Sequence, residues 1–319
     1  MKIWNFIKEK LESNHKVILI TVIERIGSSP GKAGYKMAVS EDGLLEGSIG
    51  GGVMEVNMVE AAKKLLLENA SDIFIKRQVH SSDAKEDKSG LVCSGEQTHV
   101  FMPLAEKSLK TVLNIIECLE KGKNGVLSMT PQGMFFFESE NFEYYVRSSI
   151  KSKTNWTFSE VIGIRDTLYI FGGGHVSVPV SNVFRMLGFR VIIYDNRKDL
   201  STMVKNQFAH QKDIIDYHNA SSHVKEGQNS YVAIMTVSHA EDQLILKQMV
   251  SKNLAYLGMI GSKNKVKKIF DSLIAQGITQ EKLDKVDSPM GLQINSETIE
   301  EIAISIAARV IQVKNSIES

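Results

Sequence analysis

Tyr169–Asp195 reads YIFGGGHVSVPVSNVFRMLGFRVIIYD, and the order of its parts decides the fold. An apolar run stops at three glycines, a helical pattern follows, and a second apolar run ends on an acid. Gly172 and Gly174 fill the first two positions of G-x-G-x-x-G, with small Ser177 at the third. The first glycine suits a tight turn. The second lets a pyrophosphate reach the backbone at a helix N-terminus, beside His175, where the helix dipole is positive. Asp195 stands where an acid accepts hydrogen bonds from ribose hydroxyls, and Arg197 just beyond it is a candidate for adenine or phosphate. The stretch predicts a β-α-β unit of a Rossmann-like parallel sheet.

Toward the C-terminus the rhythm repeats. YVAIMTV (231–237) leads to His239, a candidate acid–base group at the sheet edge, and to Asp242. LAYLGMIG (254–261) places Gly258, Gly261 and Ser262 before another helix, with Lys263 and Lys265 nearby as phosphate candidates. A final amphipathic helix carries Ile299, Ile302, Ala303, Ile306, Val310 and Val313 on one face.

Toward the N-terminus, short strands and helices no longer alternate regularly, which predicts a separate α+β domain over 1–158 and a Rossmann-like domain over 159–319. The polar stretch 151–159 is the expected linker. Two glycine-rich turns stand out. IGSSPGKAG (26–34) is no P-loop: the first glycine would have to be at Ile26, Ala33 replaces the metal-binding hydroxyl, and Pro30 has no N–H. Gly27, Ser28 and Ser29, together with Gly50, Gly51 and Gly52, are candidates for a backbone anion nest. Plain turn geometry is the alternative. Glu55, in the first turn of a helix over 53–67, is either a functional carboxylate or a complement to the helix dipole. On that helix Val56, Val59, Ala62 and Leu66 form the expected buried stripe.

The 319 residues are 43% hydrophobic and 24% charged, with a formal net charge of +1, which gives no electrostatic reason to expect nucleic acid or an anionic membrane. No run is long enough for a membrane span, and a cytoplasmic location is expected. Two cysteines are too few for a disulfide scaffold or a zinc pattern. Cys93, in GLVCSGEQ, is the candidate reactive thiol. Cys118, inside a helical pattern, reads as core. Asp83 and Asp87 lack calcium-loop spacing.

The ordered set of segments resembles the XdhC/CoxI family, accessory proteins of xanthine dehydrogenase and related molybdenum hydroxylases. IGSSPGKAGYKM, GSIGGGVME and LVCSG are similar to its N-terminal signatures. GGGHVSVPV, GFRVIIYDNR, YLGMIGSKNK, SPMGLQI and ETIEEIAISIAA are similar to its Rossmann half. Val53 and Ser94 depart from the pattern, leaving Cys93 as the matching thiol. The resemblance implies a chaperone-like factor, not itself a hydroxylase. Such a factor binds molybdenum cofactor (molybdopterin form) as cargo, supports its sulfuration with a cysteine desulfurase and delivers it to an apo-hydroxylase such as xanthine dehydrogenase. It implies a homo-oligomer, a dimer as the expected state, and sulfur or molybdenum handling by Cys93. Two other readings of the residues stay open: an NAD(P)-dependent oxidoreductase using Asp195 and His239, and a non-catalytic nucleotide-binding scaffold.

Overall fold

The computed structural model describes residues 1–80, 95–139, 142, 144–164 and 166–317, and divides into two units, Met1–Gly163 and Ile164–Ser319. The first unit begins with α1 (Lys2–Glu12), β1 (Val17–Ile26), β2 (Lys36–Ser40), β3 (Leu45–Gly47), α2 (Gly52–Leu67), β4 (Phe74–Val79) and β5 (Glu96–Leu104). The strands form an antiparallel sheet in the order β3-β2-β1-β5-β4. Val17–Ile23 is buried throughout because both faces of β1 are covered. Ile18, Ile20 and Val22 meet Met54, Met58 and Ala62 of α2. Val17, Leu19 and Ile23 meet Trp4, Ile7 and Leu11 of α1 and Val112, Ile115 and Ile116 of α3 (Leu109–Glu120). The row Met54, Met58, Ala62, Leu66 faces the sheet, so Val56, expected inside, is 60% exposed. Spacing of four turns that row to one side of the helix and carries Val56 to the other.

A second antiparallel sheet completes this unit: β6 (Gly125–Thr130), β7 (Gly133–Glu138), β8 (Val146–Ser152) and β9 (Asn155–Ile162), in the order β7-β6-β9-β8. The polar stretch 151–159 is therefore the turn and start of a hairpin and not a linker. Trp156 and Phe158 point into the core while Asn155 and Thr157 face solvent. Half of this strand is polar because half of it is wet. Glu160 on β9 pairs with Lys36 on β2, both nearly buried.

The second unit runs β10 (Thr167–Phe171), α4 (Ser177–Met186), β11 (Arg190–Asp195), α5 (Ser201–Lys205), β12 (Gln211–Ile214), β13 (Gly227–Ile234), α6 (His239–Met249), β14 (Leu254–Met259), α7 (Lys263–Ala275), α8 (Gln280–Leu283) and α9 (Ile299–Ile317). Its five strands are parallel in the order β12-β11-β10-β13-β14, the doubly wound order with a switch point between β10 and β13. Leu168 and Ile170 face α4 and α9 through Val180, Phe184, Ile306 and Val310. Tyr169 and Phe171 face α6 and α7 through Ile245, Met249, Val266 and Ile269. After α8 the chain passes β14 once more: Asp287 N–H donates to Leu257 O (2.9 Å), and Met259 N–H donates to Asp287 O (3.0 Å).

Candidate functional site

The glycine turn after β10 lies at the switch point. Gly172 has φ +112°, and a Cβ there would be driven into the Met235 carbonyl at the end of β13, so only glycine lets the two strand ends approach. Gly173 N–H donates to Asp195 Oδ2 (2.7 Å). Gly174 faces open space, and Gly174 O accepts Ser177 N–H (3.0 Å) and Ser177 Oγ–H (2.7 Å), which starts α4. None of the described hydrogen bonds uses the N–H of Gly174, His175 or Val176. Three donors at a helix N-terminus make a cradle for a phosphate or another anion. His175 is exposed beside it.

Asp195 closes the turn from below. Its side chain is fully buried, and it accepts from Gly173 N–H, Arg197 N–H (2.9 Å), Arg197 Nε (2.9 Å) and Arg197 Nη2 (2.7 Å). Burial works to raise its pKa, but the Arg197 guanidinium and the two backbone N–H groups outweigh it and hold the carboxyl below its ordinary range. The ribose role expected of Asp195 is thus not available without displacing Arg197: the acid fastens the turn, and the half-exposed Arg197 is the group that meets solvent.

At the ends of β13 and β14 the expected residues separate. His239 opens α6, is exposed, and makes none of the described hydrogen bonds. Asp242 is buried, accepts Thr236 N–H (3.0 Å) and Thr236 Oγ–H (2.6 Å), and pairs with Lys265 of α7. Lys265 also donates to Ile260 O (3.2 Å), so its charge is occupied by internal partners and not offered to a phosphate. Ser262 caps α7 by accepting Lys265 N–H (3.3 Å), and half-buried Gly261 precedes it. Gly258 lies within β14, packed against Tyr256 and Met290, and does not face a ligand.

In the first unit the two glycine turns do converge. A Cβ on Gly50 would sit 2.8 Å from Gly31 N, and one on Gly31 would enter the Ile49 carbonyl. Gln97 of β5 clamps both turns, donating through Nε2 to Gly31 O (3.1 Å) and Ile49 O (3.3 Å), while its Oε1 lies 3.0 Å from His80 Nε2. Part of the anion nest is taken: Glu55 Oε2 accepts Ser48 Oγ–H (2.7 Å), Ile49 N–H (2.8 Å) and Gly51 N–H (3.0 Å). Burial opposes its ionisation, yet these donors hold its pKa below the ordinary value. Glu55 thus serves its own helix and takes the Ile49 and Gly51 donors of the expected nest, while the space beside Gly51 stays open. Gly27 and Ser28 are exposed and Ser29 half-buried on the neighbouring turn.

Two site features escaped the sequence reading. Gln97 and His99 alternate on the α2-facing side of β5, and both are buried. Burial pushes the His99 imidazole down to about 4. Two amide- or imidazole-bearing residues at period two in an otherwise apolar strand were the available signal. Cys93, Ser94, Asp83 and Asp87 lie outside the described residues. Cys118 is a buried core thiol, as expected, with its pKa raised by burial. Among the described residues no three His, Cys, Asp or Glu side chains cluster to hold a metal, and no helix is long and apolar enough to cross a membrane.

Known proteins match both halves. The family model described as the XdhC Rossmann domain covers residues 168–310, and the XdhC and CoxI family model covers 11–76. A protein of Bacillus subtilis (strain 168), named as a probable xanthine dehydrogenase subunit, is 24% identical over 325 residues, spanning 96% of each chain. Uncharacterized protein YqeB of Escherichia coli (strain K12) is 22% identical over 308 residues, which are 96% of this chain but 45% of that protein. A crystal structure described as that of a xanthine dehydrogenase from Bacillus halodurans superposes with TM-score 0.72 at 22% identity, over 99% of this chain and 96% of that one, and shares the fold. With its Rossmann half and its N-terminal segment each matched in order, this chain belongs to the XdhC/CoxI family.

Proposed function

We propose that the protein is an accessory factor for xanthine dehydrogenase or a related molybdenum hydroxylase. In this reading it holds molybdenum cofactor while a partner cysteine desulfurase supplies the sulfido ligand, then passes the cofactor to the apoenzyme. The observation that carries the reading is the turn after β10, where the N–H groups of Gly174, His175 and Val176 stand unused at the switch point of a parallel sheet. Molybdopterin carries a phosphate, sometimes extended by a nucleotide, and that group suits three convergent donors at the N-terminus of α4. Gly172 and the buried Asp195–Arg197 pair hold the turn in shape, and the exposed Arg197 edge adds positive charge beside it. The name of the Bacillus subtilis relative supports the same client class. The alternative, an oxidoreductase, would put a ribose on Asp195, whose carboxylate here is held by Arg197, and would use the exposed His239 as its acid–base group.

The test is activation of a co-expressed apo-hydroxylase in cells lacking the endogenous factor. Gly174→Val puts a β-branched side chain into the open side of the turn and is expected to lower client activity and its molybdenum content by about tenfold or more, while leaving the fold intact. Cys93→Ser is expected to lower activation, and Cys118→Ala is not, if the matched thiol handles molybdenum or sulfur. Full activation by the Gly174→Val protein would sink the site, and full activation by Cys93→Ser would sink the thiol's role.

A further inference from the structure

Residues 287–296 form a strap beside the C-terminal end of β14. Asp287 anchors it: the carboxylate accepts Tyr256 OH (2.6 Å) and Gly291 N–H (2.9 Å) and lies 3.3 Å from Arg309 Nε. Farther along, Ser305 of α9 donates its hydroxyl to Leu292 O (2.6 Å), and Leu292 N–H donates to Ser305 O (3.2 Å). Pinned at both points, the strap faces the start of α7 across a cleft of about 520 Å³, within the range of small-ligand sites. Ile260, Gly261 and Lys263 line one wall; Met290, Gln293 and Asn295 belong to the strap.

The lining has a definite chemistry. Ile260 and Met290 give apolar surface for a flat ring. Gln293 and Asn295 carry amides that both donate and accept. The N–H groups of Gly261, Ser262 and Lys263 enter none of the described hydrogen bonds. The position is as telling as the lining. The cleft sits at the end of β14, two strands and about 10 Å along the sheet from the Gly172–Gly174 turn. A ligand whose phosphates rest on that turn straddles the switch point, with one half above β11 and the other above β13 and β14.

Resting on the reading of the glycine turn as a phosphate site, we propose that the strap cleft receives the ring half of a dinucleotide-shaped ligand: a planar heterocycle with an amide-type hydrogen-bonding edge. Pterin and nicotinamide both have that chemistry. The experiment separates them by titrating the full chain with three probes: molybdopterin under anaerobic conditions, NAD⁺, and ADP-ribose, which keeps the phosphates but lacks the second ring. Gln293→Trp and Ile294→Trp place bulk at the cleft from exposed strap positions, and two variants guard against one that misfolds. Each is expected to weaken a ring-bearing probe by about tenfold or more and ADP-ribose by less than about twofold. Gly174→Val should weaken every probe that binds. Loss of molybdopterin affinity supports the cleft together with the accessory reading. Loss of NAD⁺ affinity with no molybdopterin binding supports the cleft while the accessory reading falls. The cleft is overturned alone if Gly174→Val weakens binding and neither tryptophan variant does, or if neither ring-bearing probe binds the unaltered protein more tightly than ADP-ribose. It falls together with the turn if Gly174→Val weakens nothing.

Discussion

Replacing Asp195 by alanine should cost folding stability before it costs a ligand contact. The side chain is a buried acceptor for four donors, and its removal leaves Gly173 N–H and the Arg197 head without their partner, which is expected to cost about 3 kcal/mol. A denaturation double-mutant cycle with Arg197→Ala should return a coupling of about 1–3 kcal/mol; additive losses would show that the pair does not act as a unit. Glu55→Gln should cost about 1 kcal/mol at neutral pH, because a charged cap on three donors becomes a neutral one. Its folded pKa is lowered, so its stabilisation is present above the ordinary carboxylate value and is lost as pH falls through the lowered one. An unchanged midpoint for Glu55→Gln at pH 7 would contradict the cap. His99 acts in the same direction over a higher pH window: its imidazole is held neutral down to about 4, so unfolding becomes easier as pH falls from 6.5 toward 4, by roughly 3 kcal/mol in total. His99→Leu should flatten that part of the pH–stability curve, and an unaltered slope would place the effect elsewhere. The positions of Asp195 and Glu55 were legible from the pattern after a strand and at a helix start. Their occupation was not, because the partners that fill them, Arg197 and the Ser48–Gly51 backbone, compete with a ligand only in three dimensions.

The elements divide in the same way between pattern and context. β10, β11, β13 and β14 are buried on both faces and read as apolar runs, so the parallel sheet and its glycine turn could be predicted. β12, an edge strand of sequence QKDI with no fully buried residue, carries no such signal, and the β8–β9 hairpin hides its core residues Trp156 and Phe158 in a polar stretch. The convergence of the two N-terminal glycine turns was also out of reach, since Gly31 and Gly50 meet only through the antiparallel packing around β1 and β5. That contact gives a sharp contrast. Gly31→Ala drives a methyl group into the Ile49 carbonyl and the Gln97 amide and should destabilise the protein by about 2–3 kcal/mol. Gly174→Ala meets open space and should stay within about 0.5 kcal/mol. Equal denaturation midpoints for the two variants would mean that the turns are looser than their packing implies.

At the scale of the molecule, an antiparallel unit whose Glu55 accepts from its own glycine turn is joined in one chain to a Rossmann unit whose Gly174, His175 and Val176 N–H groups enter none of the described hydrogen bonds. The accessory role proposed above puts its ligand on that turn of the second unit. The family membership fits the order of motifs along the whole chain, whereas the client, the cargo and the thiol chemistry belong to contacts that neither the pattern nor the packing contains. The most direct measurement is a mass spectrum of the small molecules released from gently purified protein, made in cells that synthesise molybdenum cofactor, for the unaltered chain and for Gly174→Val. The account predicts a molybdopterin-derived species released from the unaltered protein and strongly depleted in the variant. Recovery of the same species in equal amount from both proteins, or of a nicotinamide dinucleotide in its place, would contradict it.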